Sequence, residues 1–131
     1  MSAVPQTTVS QNVRTPTPVV DILPNVQTLQ QAAKLAMAQD KPIQLDYYVD
    51  SSNGKAFLGE EKETHEKRLV KSAVEYTSVI EKTYKVQQTV QDKVLADYIM
   101  VSANSIYIIS TNIVKRTIEA SFLRSDDSDN E

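Results

Sequence analysis

The 131-residue chain predicts a mainly β fold, a small antiparallel barrel or curved sheet of about six to seven strands with one N-terminal α-helix. Three observations carry that expectation. Apolar and polar residues alternate from Pro42 onward, which is the period of a strand. All five prolines lie in the first 42 residues, where one stretch rich in Ala, Gln and Leu has helical spacing. Two later segments, 94–101 and 105–110, are apolar at consecutive positions, so a sheet with one wet face does not describe them.

The elements follow in order. Residues 1–20 are Pro, Thr, Val, Gln and Ser, and Thr15-Pro16-Thr17-Pro18 favours polyproline II. They predict an extended arm, either a leader without a fold or a strap over another surface. Residues 21–41 hold the helix. Asn25 is its N-cap, VQTLQQAAKLAMAQ is its body, and Pro42 stops it. Val26, Leu29, Ala33 and Met37 form a narrow apolar stripe. That stripe is expected to pack on the outer face of the 94–110 hairpin; the alternative is that helix and arm reach to a neighbouring subunit.

Residues 42–120 form the β domain. Ile43, Leu45, Tyr47 and Val49 alternate with Gln44, Asp46, Tyr48 and Asp50, which predicts a half-buried strand. Asn53-Gly54 is a hairpin-turn signal at positive φ, and 55–58 would return as a second strand. EEKETHEK, 60–67, reads as a charged loop. Strands follow at 68–74, 79–86, 94–101, 105–110 and 113–118, with a turn at Ala103-Asn104. Residues 121–131 form an acidic, flexible tail.

Charge excludes some functions. The net charge of −3 resides in that tail, while residues 1–120 are balanced. A balanced body lacks the long-range field that gathers phosphates, so nucleic acid is disfavoured. No run reaches the length of a membrane span, and no partner in the membrane is expected. Without Cys there is no disulfide or thiolate chemistry, which fits a cytoplasmic setting. The single histidine, His65, lies between Glu63 and Glu66 in the charged loop, without a second His at ligand spacing; no metal and no cofactor are expected. Two glycines cannot build a phosphate loop, and no serine is singled out as a nucleophile. The chain therefore reads as a non-enzyme.

Two binding readings remain. In the first, the protein is structural or binds other proteins or itself, through Val26, Leu29, Met37, Tyr98, Tyr107 and Ile109. In the second, a barrel binds single-stranded nucleic acid, with Tyr76 and Tyr84 stacking bases beside Lys71, Lys82 and Lys85. Balanced charge favours the first.

KPIQLDYYVDSS, KRLVKSAVEYTSVIEKTYKV and DYIMVSANSIYIIS together resemble small uncharacterised proteins encoded by large nucleocytoplasmic DNA viruses. The matching features are Lys41-Pro42-Ile43, Asp46-Tyr47-Tyr48, Glu75-Tyr76-Thr77-Ser78 and Asn104-Ser105-Ile106-Tyr107. The resemblance implies a small non-enzymatic component, packaged in the virion or resident in the host cytoplasm. It brings no catalytic or ligand residue.

Overall fold

The computed structural model describes residues 23–124. The arm at 1–20 lies outside them, as does the acidic run 126–131. In chain order the elements are α1 (Val26–Gln39), β1 (Ile43–Gln44), α2 (Tyr48–Asn53), β2 (Phe57–Glu61), β3 (Lys67–Ser72), β4 (Glu75–Tyr76), β5 (Ile80–Val90), β6 (Lys93–Ser102), β7 (Ile106–Ser110) and β8 (Val114–Ile118). A short 3₁₀ turn (Ala120–Phe122) follows.

The strands form two four-stranded sheets, ordered β1-β7-β6-β5 and β4-β3-β2-β8. Of the expected barrel or curved sheet, the barrel is therefore incorrect, the mainly β character holds in two sheets, and eight strands replace six to seven. Pairing is antiparallel except at one edge of each sheet, where β1 runs parallel to β7 and β8 parallel to β2. β5 and β6 are joined by Gln91-Asp92, both left-handed at φ 51° and 67°. That is the twist-matched two-residue turn, built here without glycine, so no turn signal marks it in the sequence.

The largest departure from expectation lies between 43 and 58. Only Ile43–Gln44 is a strand, and the chain then turns into α2 instead of making a hairpin. Gly54 has φ 86°, but as the C-cap of α2, with Asn53 still helical. Both motifs need a left-handed glycine, so one local signal serves either. Tertiary bonding decides between them. Ser51 Oγ donates to the Tyr48 carbonyl at 2.6 Å and accepts from the Ser110 N–H at 2.9 Å, which ties a helical turn to the end of β7.

From Asp97 onward β6 is covered on both faces together with β7, as the composition of these segments requires, whereas Val94 and Leu95, expected to share that cover, are exposed. Met100, Ile109, Tyr98 and Tyr107 face the second sheet and share a core with its Leu58 and Leu69, with Ile80 of β5, and with Ala56 and Ile113 just before β2 and β8. Ile99, Val101, Ile106 and Ile108 face α1 and meet Ala32, Leu35, Ala36 and Tyr48. Ile99, Ile106, Ile108 and Ile109 are fully buried, each contributing about 1.5–3 kcal/mol by area. The outer face of the second sheet carries a smaller cluster, Phe57, Val70 and Ile118, capped by Leu123. Gly59 permits that cluster: a Cβ there would stand 3.1 Å from Ile118 Cδ1 and 3.3 Å from Val70 Cγ2.

The helix packs on the sheet as expected, but on a different face. Thr28 and Ala32 are fully buried and Leu35 and Ala36 half-buried, whereas Val26, Leu29, Ala33 and Met37 point away. The small residues Thr28, Ala32 and Ala36 let the backbone approach the sheet closely. Two rival stripes exist in this helix, and the smaller side chains face inward. Ala32→Glu is accordingly expected to destabilise the fold by several kcal/mol, because it buries an unpaired carboxylate. Ala33→Glu, one residue on, should leave the denaturation midpoint nearly unchanged. Equal midpoints for the two variants would refute this orientation of α1.

Candidate functional site

The most distinctive polar arrangement is built on Asp97 of β6, which is 3% exposed. Its Oδ2 accepts from the Asn25 N–H at 2.9 Å, Asn25 Nδ2 at 2.8 Å and Thr28 Oγ1 at 2.9 Å. Its Oδ1 accepts from the Tyr48 hydroxyl at 2.7 Å. Asn25 also caps α1, its side-chain oxygen accepting from the Thr28 N–H at 2.9 Å. The carboxylate thus sits at the positive end of the α1 dipole and is held by neutral donors. No salt bridge to Asp97 occurs among the described residues.

Chemically this is a clamp. Oδ2 accepts three hydrogen bonds and Oδ1 one, so the carboxylate is held by donors from the start of α1 and from α2. Burial, then the hydrogen bond to Asp97, then the charge of Asp97 push the Tyr48 phenol well above its ordinary value. It stays protonated and serves as a donor. A cleft of about 350 Å³ opens beside the clamp between Leu23, Pro24, Leu95 and Ala96. A second groove, about 390 Å³, runs between α1 and β5. Gln27, Gln31 and Leu35 line one side, Tyr84, Val86 and Ile99 the other.

The anticipated interaction residues separate. Val26, Leu29 and Met37 lie on the outer surface of α1, at 61%, 39% and 78% exposure. Tyr98 and Tyr107 are half-buried between the sheets, with Tyr107 edge-on to Tyr47 at 5.8 Å. Ile109 is fully buried and presents nothing at the surface.

The residues of the nucleic-acid reading do not share one face. Lys71 is largely buried on β3, its ammonium 4.5 Å over the Tyr47 ring and 3.4 Å from Asp50. Tyr76 lies on β4, its hydroxyl donating to the Arg124 carbonyl at 3.0 Å. Lys82 and Tyr84 pair across β5–β6 with Val101 and Ile99, on the α1 side, while Lys85 pairs with Tyr98 on the opposite side. His65 Nδ1 is 2.9 Å from Glu60 Oε2 in an exposed turn. Among the described residues, no cluster of three or more His, Cys, Asp or Glu could hold a metal ion.

Sequence reasoning missed Asp97. The available signal was a lone acid inside the apolar run VLADYIMV, since a charge in a doubly covered strand must find partners.

The raised phenols make alkaline pH a test. Tyr47, Tyr48 and Tyr107 all have folded values above the unfolded value of 10.0. A group held protonated by the fold contributes stability that is fully present below its unfolded pKa and is lost as pH rises beyond it. Urea denaturation should therefore give a flat stability from pH 8 to about pH 9.5 and a decline above about pH 10. Tyr48→Phe should cost about 1–3 kcal/mol at pH 8, because Asp97 loses a buried donor, and should make the alkaline decline shallower. An unchanged slope in that variant would remove Tyr48 from this account.

No family model, curated protein or solved structure matches this chain, so what its surfaces can do follows from their own geometry.

Proposed function

We propose that the protein is a non-enzymatic interaction module that binds a protein surface through the outer face of α1. One observation carries this reading: α1 is apolar on two sides. Its inner side packs on the sheet, and Val26, Leu29, Ala33 and Met37 are left outward along a helix of 14 residues, with Leu23 71% exposed at its start. The outward residues recur at i, i+3, i+7 and i+11, the seam by which one helix seats against another element. An apolar patch of this kind on a small domain marks a contact surface. Met37, flexible and polarizable, suits a surface that adapts to a partner.

The flanking chemistry favours protein over lipid. Lys34 is the only basic residue of α1, and the helix polar face is mostly glutamine, whereas a helix lying on a membrane surface uses a basic face. No helix among the described residues is long and apolar enough to cross a membrane. The clamp at Asp97 supports the reading in another way. It fixes the rotation of α1 before any partner arrives, so the outward stripe is presented without an ordering cost at binding. The resemblance to small proteins of large DNA viruses suggests a virion or the host cytoplasm as the setting, with a structural part in an assembly.

Leu29→Glu/Met37→Glu tests the reading. Both side chains point outward, so the double variant should melt within a few degrees of wild type. Protein partners or oligomers recovered with the wild type after crosslinking should be lost with it. Recovery of the same set by both proteins would reject the α1 face as the contact.

A further inference from the structure

β5 is the longest open sheet edge among the described residues. It runs eleven residues, against two each in β1 and β4 and five in β8. Its one neighbour among the described residues is β6. Every second residue of such an edge turns its N–H and C=O away from that neighbour, so β5 offers a row of backbone groups for pairing. It contains no proline, and Glu81 through Lys85 are all exposed.

We infer that β5 pairs antiparallel with β5 of a second copy, about a two-fold axis through Val86, to make one continuous eight-stranded sheet per dimer. This refines the interaction reading by naming self-association as one contact, on a surface separate from the outer face of α1. The register follows from β5 itself. Between Ile80↔Ser102 and Lys82↔Val101 the β5–β6 ladder shifts, which leaves Glu81 as a bulge and ends the regular strand there. The turn at Gln91-Asp92 ends it on the other side. The regular run is 82–90, and its midpoint is Val86.

Pairing about that midpoint sets Lys82 against Val90, Thr83 against Thr89, Tyr84 against Gln88, Lys85 against Gln87, and Val86 against itself. No charge directly opposes a like charge. An axis one residue earlier would set Lys85 against Lys85, which destabilises. The α1–β5 groove agrees with the same centre. Val86, half-buried, shares its lining with Leu35 and Ile99, and Tyr84 and Gln88 lie on the same side of the sheet. A partner strand seated on β5 brings its own Val86 to the apolar part of that groove beside Leu35 and its own Tyr84 hydroxyl to the side lined by Gln27 and Gln31. An acidic strand from another protein is less well matched, because Lys82 and Lys85 point to opposite faces and make no continuous basic row.

The test uses the full chain and light scattering from micromolar to millimolar concentration, with a monomer–dimer equilibrium expected. Thr83 and Thr89 are exposed, and within one copy they face Met100 and Val94, so charges there create no cross-strand pair inside a copy. Thr83→Lys/Thr89→Lys sets lysine against lysine twice and should weaken the dimer about tenfold. Thr83→Glu/Thr89→Lys sets opposite charges at the same positions and should restore or tighten it. Val86→Cys, the only thiol in a chain without cysteine, should trap the dimer on oxidation. A monomer at every concentration overturns the inference, and protection of β5 amides from exchange within that monomer would assign the edge to residues 1–22 of the same chain. A dimer indifferent to the two threonine pairs also overturns it. If dimerisation is instead lost in Leu29→Glu/Met37→Glu, the second copy sits on α1; the β5 pairing then fails while the α1 reading stands.

Discussion

The structure is arranged around the paired segments 97–101 of β6 and 106–110 of β7, which are covered on both faces. β6 and β7 carry Ile99, Val101, Ile106 and Ile108 on one side and Met100 and Ile109 on the other, all of them buried. The five paired residues of each strand cannot satisfy that requirement alone. One side needs the second sheet and the other needs α1, so the three-layer order of helix, sheet and sheet is a consequence of two short segments. The short parallel strand β1 serves the same end. It extends the first sheet at β7 while feeding Ile43 into the core under α1.

Covering the hairpin with a helix creates an electrostatic problem at Asp97, where β7 ends and the carboxylate would otherwise lie buried and alone. The solution uses no cation. The N-terminus of α1 brings partial positive charge, the Asn25 N–H and amide, and the Thr28 hydroxyl to one oxygen, and Tyr48 of α2 brings a phenol to the other. The clamp therefore ties α1, α2 and β6 at one point. It also selects which side of α1 faces inward, because Thr28 can reach Asp97 only with Ala32, Leu35 and Ala36 turned to the sheet. The outward apolar stripe is what remains after that choice. Function on this reading is inherited from the geometry of the clamp.

The second sheet holds its own polar tie. Thr77 is buried, and its hydroxyl accepts from the Leu69 N–H at 3.1 Å and donates to the Ser78 carbonyl at 2.8 Å. This satisfies the backbone where the chain leaves β4 for β5 and crosses from one sheet to the other. Lys71 bridges the two regions nearby, its ammonium over the Tyr47 ring and beside Asp50 of α2. A lysine that looks available for a ligand in the sequence is thus engaged in holding α2 against the second sheet.

Local rules made several features legible in the sequence. The N-cap at Asn25 could be read because the bond spans three residues, and the long strands could be read because their period repeats. The double burial of 97–101 and 106–110 followed from composition, although the same pattern at Val94 and Leu95 did not lead to burial. What the sequence could not decide was anything settled by partners distant along the chain. Asp97 finds Asn25 and Thr28 about 70 residues away, and no local pattern announces that meeting. Asn53-Gly54 encodes a left-handed residue but not whether a strand or a helix precedes it; Ser51 bonding to Ser110 settles that. The α1 sequence holds two apolar stripes, and its own spacing ranks them equally. By itself the chain determined the periods, the caps and the need to cover one hairpin twice. The tertiary structure decided how the layers close and which side of α1 is left facing water, because those depend on where one buried carboxylate finds its donors.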